Sequence, residues 1–361
     1  MGASAPFAAR QRPAPTNNDK GGALTMDALF LTAGGQAAIN NAYSPDCQQI
    51  LSQELRLLPP VYSKQALLDN AQTYQTASYL FSTWGMLPLT EEEIEALFPA
   101  LKAVFYAAGS VQAFARPFLS RGVSVFSAWA ANGVPVAEYA FAQIILGLKG
   151  FFRSSVLYKA GQAEAARQVN ATVPGVYGVQ VGLLGAGMIG KMLIERLHTV
   201  NVQLLVFDPF LSPAQAQALG VRKAQTLEEV FASCQLVSNH LANNADTKAM
   251  LRYEHFSLLP PNAVFLNTGR HAQIDEPGFL RFLAERPDVC AVLDVTDPHE
   301  PLPSGHPLYS LPNVTLTPHI AGSLGLEVRR MGEYMLAEYQ AFSNGLPTRY
   351  SVSLEMLKTM A

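Results

Sequence analysis

The stretch "VQVGLLGAGMIG", residues 179–190, places Gly185, Gly187 and Gly190 directly after an apolar run and directly before the helical run "KMLIERL" at 191–197. Each glycine meets a different physical need. Gly185 permits a tight turn, Gly187 lets backbone come close to an anion, and Gly190 lets helix and strand pack closely. The amides around Met188 and Ile189 open the helix, where unpaired N–H groups and the positive dipole end favour a pyrophosphate. The next run, "LLVFDPF" at 204–210, ends in Asp208, an acid suited to accept hydrogen bonds from an adenosine ribose and to repel a 2′-phosphate. Strand, glycine loop, helix, strand and acid, in that order, predict a doubly wound α/β domain holding NAD rather than NADP.

The same alternation runs outward in both directions. Upstream, "ALFLTA", "LRLLP", "ASYLFST", "LKAVFYA" and "VSVFSA" read as strands separated mostly by amphipathic stretches; downstream, "VQLLVFD", "CQLVSNHL", "NAVFLNTG", "CAVLDV" and "VTLTPH" continue the second series. Such alternation means parallel sheets covered by helices. Between the series, residues 132–150 predict a long helix opened by Asn132 and closed by Gly150, with Val136, Ala140, Phe141, Ile144, Ile145 and Leu148 on one stripe. A second long helix is expected within 326–345, its stripe of Val328, Met331, Met335 and Tyr339 packing back on the first unit. The expected organisation is a tail at 1–25, a discontinuous domain of 26–131 and 326–361, and a cofactor domain of 132–325.

Bulk properties narrow the class. At 361 residues the chain exceeds what one core usually supports, which favours two domains. With 49% hydrophobic residues, 15% charged residues and a net charge of -3, it lacks the basic footprint of a nucleic-acid binder. No run reaches the length of a membrane span, and the Ala/Pro/Asn-rich first 25 residues read as a disordered tail rather than a signal peptide. Cys47, Cys234 and Cys290 are widely spaced and odd in number, arguing against disulfides or a metal site and for a reducing cytoplasm.

Candidate chemistry gathers at two strand ends. "FLNTGRH" ends in Arg270, whose planar fork suits bidentate grip of a carboxylate, and "TLTPHIAG" delivers His319 to the same edge as a base. His299 and His306 sit in a Pro/Gly-rich loop and read as solvated or structural. Glu300, in that loop, has the chemistry to stabilise the imidazolium form of His319 if it reaches it. A cation for a carboxylate, a base for a hydroxyl proton and a nicotinamide carbon for a hydride are what 2-hydroxy-acid oxidation needs.

Together, "GLLGAGMIG" with Asp208, "LNTGR", "LDVTDPHEPLP", "LPNVTLTPHIAGS" and the earlier "AAGSV" and "VAEYA" resemble the D-isomer-specific 2-hydroxyacid dehydrogenases over roughly residues 28–345. This family includes phosphoglycerate, glycerate and D-lactate dehydrogenases. The resemblance implies a Rossmann NAD-binding domain inserted into a flavodoxin-like substrate domain, and a homodimer paired through the cofactor domain. It further implies that Arg270 orients a small 2-hydroxy or 2-oxo acid, that Glu300 and His319 form the acid/base pair, and that Asp294 holds the nicotinamide carboxamide. By the same resemblance Ser110 lies beside substrate and nicotinamide, while Leu241, Thr268, Gly269 and Gly322 line the cofactor cleft, together with Arg270 and His319.

Several residues depart from the family pattern. His271 follows Arg270 where relatives have glycine, and His299 reads as one residue inserted between Asp294 and Glu300. Trp84 and Met86, in "STWGM", stand where many relatives are more polar, which implies a bulkier or less phosphorylated substrate. The alternative reading, from another functional class, is a NAD(H)-sensing binding protein resembling the corepressors built on this fold. The Arg270, Glu300 and His319 set and the absence of a basic run disfavour it.

Overall fold

The apolar runs form two sheets in the computed structural model, which describes residues 26–358. The expected tail at 1–25 lies outside them. The first sheet contains β1 (Asp27–Phe30), β2 (Arg56–Leu57), β3 (Ala77–Ser82), β4 (Ala103–Tyr106) and β5 (Ser124–Ser127), in spatial order β5-β4-β3-β1-β2. All five pair in parallel, the flavodoxin-like order. The second contains β6 (Gln180–Leu184), β7 (Gln203–Phe207), β8 (Arg222–Lys223), β9 (Leu236–Asn239), β10 (Val264–Asn267), β11 (Cys290–Leu293) and β12 (Val314–Leu316). Its order, β12-β11-β10-β9-β6-β7-β8, reverses direction at β6, which makes the crevice outside the carboxyl ends of β6 and β9 the expected ligand position. The fold class read from the sequence is therefore the one observed. Two short strands escaped that reading: β8, and β13 (Ser351–Val352), which pairs antiparallel with β5.

Helix packing explains the sequence periodicities. The long helix α1 (Trp129–Leu148) begins three residues before the expected Asn132, with Asn132 and Pro135 inside it. Its start contributes Ala131 to the core of the first sheet, and its end contributes Ala137, Ala140, Ile144 and Leu148 to that of the second. One helix thus joins the two units. The helix α2 (Met188–Leu197) opens at the glycine loop and packs along α1, so closely that a methyl group on Gly133 would lie 2.4 Å from Met188 Cε. The helix α3 (Glu276–Glu285) follows the Arg270 turn. Finally α4 (Glu327–Ser343) buries Val328, Met331, Met335 and Tyr339 against the first sheet. The Tyr339 ring meets Tyr79, Phe81 and Phe105 edge-on, the preferred geometry for aromatic quadrupoles.

Among the described residues no single helix is long and apolar enough to cross a membrane. Among them, too, no group of three or more His, Cys, Asp or Glu side chains is placed to hold a metal. All three cysteines are buried and unpaired.

Candidate active site

The glycine loop follows from local sterics. Gly185 has φ 95°, and a Cβ there would lie 2.6 Å from the His240 carbonyl oxygen; one on Gly190 would lie 2.3 Å from that of Gly185. Both positions therefore exclude a side chain. Gly187 is different, since a Cβ there meets nothing within 4 Å. It precedes α2 without a side-chain cap, leaving the first amides, around Met188 and Ile189, free to bind an anion. Asp208 closes the loop: one carboxylate oxygen accepts from Ala186 N at 2.7 Å and the other from Phe210 N at 2.8 Å. That fixes an acid beside the glycine turn at the end of β7.

A buried amide network that the sequence reading missed supports the next strand ends. Asn239 Nδ2 donates to Asn267 Oδ1 at 3.0 Å and to Gln273 Oε1 at 2.5 Å. Gln273 Nε2 in turn donates to the carbonyls of Leu241 and Ala242. Gly269 N donates to Asn267 Oδ1, and Asn267 Nδ2 donates to the Arg270 carbonyl. The only sequence signal was polar residues closing apolar strands. The network places Leu241, Thr268, Gly269 and Arg270 along one edge, where Thr268 Oγ1 is buried without a hydrogen-bond partner. An open anion cradle, an uncapped helix end, an acid and an orphaned hydroxyl fit a dinucleotide.

Arg270 is largely desolvated, and its Nη1 donates to the Gly269 carbonyl at 2.8 Å. Burial pulls its guanidinium below the ordinary range while the Glu300 carboxylate opposes that shift; arginine stays charged regardless. His319 stands at the end of β12, and its Nδ1 lies 2.8 Å from Glu300 Oε2. The apparent insertion at His299 therefore leaves the carboxylate within hydrogen-bond distance. Both side chains are open to solvent, with exposures of 44% for His319 and 39% for Glu300. Asp294 is buried, and its carboxylate accepts from Thr317 Oγ1 (2.6 Å), Ile320 N (2.9 Å) and Ala321 N (2.8 Å), which shapes the turn holding His319.

Asn132 ties the two units together. Its Oδ1 accepts from Ser323 N at 3.0 Å beside Gly322, and its Nδ2 lies 3.5 Å from the position of a Cβ on Gly109, next to Ser110. The segments that follow β4 and β12 thus approach one side chain. Thr83 Oγ1 donates to the Ala107 carbonyl at 2.9 Å, which sets the Trp84–Met86 loop on the same edge. Of the remaining histidines, His299 is exposed, whereas His271 is only 2% exposed. Burial lowers the pKa of His271, with Glu276 and Asp297 opposing, and burial holds His240 at about 4.

Comparison with known proteins identifies the family and the fold. Residues 141–321 match the family model described as "D-isomer specific 2-hydroxyacid dehydrogenase, NAD binding domain". D-3-phosphoglycerate dehydrogenase of Archaeoglobus fulgidus is 25% identical over 66% of this chain and 44% of its own length. The Bacillus subtilis enzyme of the same name is 28% identical over 64% and 43%. The chain thus spans less than half of these two relatives. A glyoxylate reductase of Korarchaeum cryptofilum is 27% identical over 75% of this chain and 81% of its own. Among solved structures, D-mandelate dehydrogenase of Rhodotorula graminis superposes with a TM-score of 0.76 at 20% identity, covering 91% of this chain and 97% of that one. A phosphoglycerate oxidoreductase from Rhizobium etli gives 0.74 at 22%, covering 90% and 97%. These two establish the shared fold.

Proposed function

The chain belongs to the D-isomer specific 2-hydroxyacid dehydrogenase family, and we propose that it interconverts a D-2-hydroxy acid and its 2-oxo acid with NAD(H) as the redox partner. In this reading residues 132–325 form the cofactor domain, and 26–131 with 326–361 form the substrate domain. Arg270 grips the substrate carboxylate through its planar fork and polarises the neighbouring C2 oxygen. His319 takes the hydroxyl proton as the alcohol is oxidised, and returns it when the oxo acid is reduced. Glu300 stabilises the imidazolium that forms. The nicotinamide, when bound, accepts or supplies the hydride. Met188 and Ile189 amides hold the pyrophosphate, Asp208 the adenosine ribose, and Leu241, Thr268, Gly269, Asp294 and Gly322 line the cleft with Ser110 at its substrate side.

The observation that carries this reading is the 2.8 Å contact between His319 Nδ1 and Glu300 Oε2 on the same edge as Arg270 and the glycine loop. Asp208, with its carboxylate fixed at the ribose end, supports NAD over NADP. Trp84, exposed on the substrate edge, supports an acid with a bulkier or less phosphorylated side chain, whereas Met86 packs in the core of the first sheet. We also read the protein as a cytoplasmic homodimer paired through the cofactor domain.

A panel of 2-oxo acids with NADH, followed by loss of NADH absorbance, tests the proposal. His319→Ala should lower turnover by roughly 10²- to 10⁴-fold, the usual contribution of a positioned base, with NADH affinity nearly unchanged. Undiminished turnover in that variant refutes the assignment. Tight NADH binding with no acid reduced by the unmodified chain would instead favour the NAD(H)-sensing alternative.

A further inference from the structure

We propose that Glu276, faced by His271 on one side and His306 on the other, is a positioning residue that locks the loop carrying Glu300 to the turn carrying Arg270. The inference rests on the dehydrogenase reading for the roles of Arg270 and Glu300. Glu276 opens α3, and its Oε1 lies 3.4 Å from the Nε2 of both histidines. That oxygen is buried, as are both ring nitrogens of His271, and none of the three makes a well-aligned hydrogen bond in the structure. Buried polar atoms forfeit hydration that loose contacts repay only partly, so a cluster of this kind costs stability and calls for an explanation by what it holds in place.

What the cluster joins suggests that purpose. His271 directly follows Arg270 and begins the short 3₁₀ turn His271–Gln273. His306 belongs to the loop that carries Glu300, where its Nδ1 accepts from Leu308 N at 3.3 Å. That bond leaves the ring proton on Nε2, which stands 3.4 Å from Glu276 Oε1 without being aligned on it. Tyr309 OH donates to the Leu302 carbonyl at 3.1 Å, and Leu302 is buried, so the tether runs back towards Glu300. One carboxylate oxygen therefore faces histidines from the two segments whose spacing sets Arg270 against the Glu300–His319 pair. Asp297, in the same loop, adds a second negative charge acting on His271. A glycine at 271 would leave Glu276 only the loop side to hold.

Two substitutions approach the cluster from opposite sides. His306→Asn keeps an acceptor for Leu308 N but removes the arm that reaches Glu276; Glu276→Gln removes the charge while preserving the start of α3. Each should lower kcat/KM about tenfold with NADH affinity within about twofold, yet cost less than about twofold when Glu300→Gln is already present, because both act through Glu300. Equal losses in both backgrounds would mean a merely structural role and overturn the proposal. Amide hydrogen exchange of the 296–311 peptide, which needs no turnover, should quicken in both variants. Unchanged exchange refutes the clamp even if catalysis suffers. If the unmodified chain reduces no 2-oxo acid, the dehydrogenase reading fails, and the exchange result alone decides whether the clamp exists.

Discussion

Gly187→Ala should separate cofactor binding from folding more cleanly than any other change in the glycine loop. The added methyl meets nothing within 4 Å, and the backbone there, at φ -64° and ψ -163°, is extended rather than left-handed. Unfolding stability without cofactor should therefore stay within about 0.5 kcal/mol of the unmodified chain. The methyl would occupy the space through which a pyrophosphate approaches the amides of Met188 and Ile189. Losing one charge-assisted hydrogen bond costs about 2 kcal/mol, or roughly a 30-fold rise in Kd for NADH. At a cofactor concentration giving about 2.7 kcal/mol of stabilisation in the unmodified chain, the variant would retain about 0.9 kcal/mol. Gly190→Ala is the opposite control, because its methyl would sit 2.3 Å from the Gly185 carbonyl oxygen. It should lose about 1–3 kcal/mol of stability even without NADH. Denaturant titration with and without NADH, together with calorimetric binding, distinguishes the two. Unchanged NADH affinity in Gly187→Ala, or a large loss of its cofactor-free stability, would refute the cradle.

The His240 pKa of about 4 lies below its unfolded value, so the unfolded chain binds the extra proton first and stability falls as pH drops from about 6.5 to 4. His240 should account for up to about 3 kcal/mol of that loss; urea midpoints at neutral and acid pH should differ less in His240→Asn, and an identical pH slope would sink the assignment. Asp208→Asn should narrow the preference for NADH over NADPH by at least about tenfold in measured Kd ratios, since the charge that repels a 2′-phosphate is gone; an unchanged ratio would place the discrimination elsewhere. Trp84→Ala should raise KM for aryl-substituted 2-oxo acids roughly threefold to tenfold while sparing pyruvate-sized ones, in keeping with one lost aromatic contact. Equal effects across the panel would remove Trp84 from the substrate wall.

What was legible in the sequence depended on how local its cause is. The glycine loop, the parallel strands and the α4 stripe follow from short-range period and steric need, and these elements appear where the spacing puts them. Asn132 misled because it has the chemistry of a helix cap. In the fold it lies inside α1 and spends its side chain on Ser323, a partner far away in sequence. The Asn239, Asn267 and Gln273 network is equally non-local, since each amide is unremarkable until two strand ends and a turn converge. His271 reads only as added bulk beside Arg270, while its burial against Glu276 depends on where α3 begins. The two-residue strands β8 and β13 are too short to carry a period and arise from the sheet edges they join.

The contact between Glu300 and His319 has a topological explanation. The strands β11 and β12 pair in parallel from Ala291↔Val314 to Leu293↔Leu316, so their carboxyl ends lie side by side. Asp294 follows immediately on β11, and its backbone carbonyl and carboxylate bind the turn after β12. An extra residue between Asp294 and Glu300 falls beyond the last ladder pair, so it lengthens a surface loop without sliding the register, the kind of insertion that loops absorb cheaply. His319 itself adopts φ 56°, a left-handed conformation that costs a non-glycine residue of order 1 kcal/mol. Its N–H donates to the Asp294 and Thr317 carbonyls at 2.9 and 3.0 Å, and the Asp294 carboxylate holds Ile320 and Ala321 just beyond. The strained residue is thus fixed on both sides by one buried aspartate on the neighbouring strand. That arrangement makes the position of the His319 backbone a property of the sheet, so a loop of altered length can still bring Glu300 within reach of its ring.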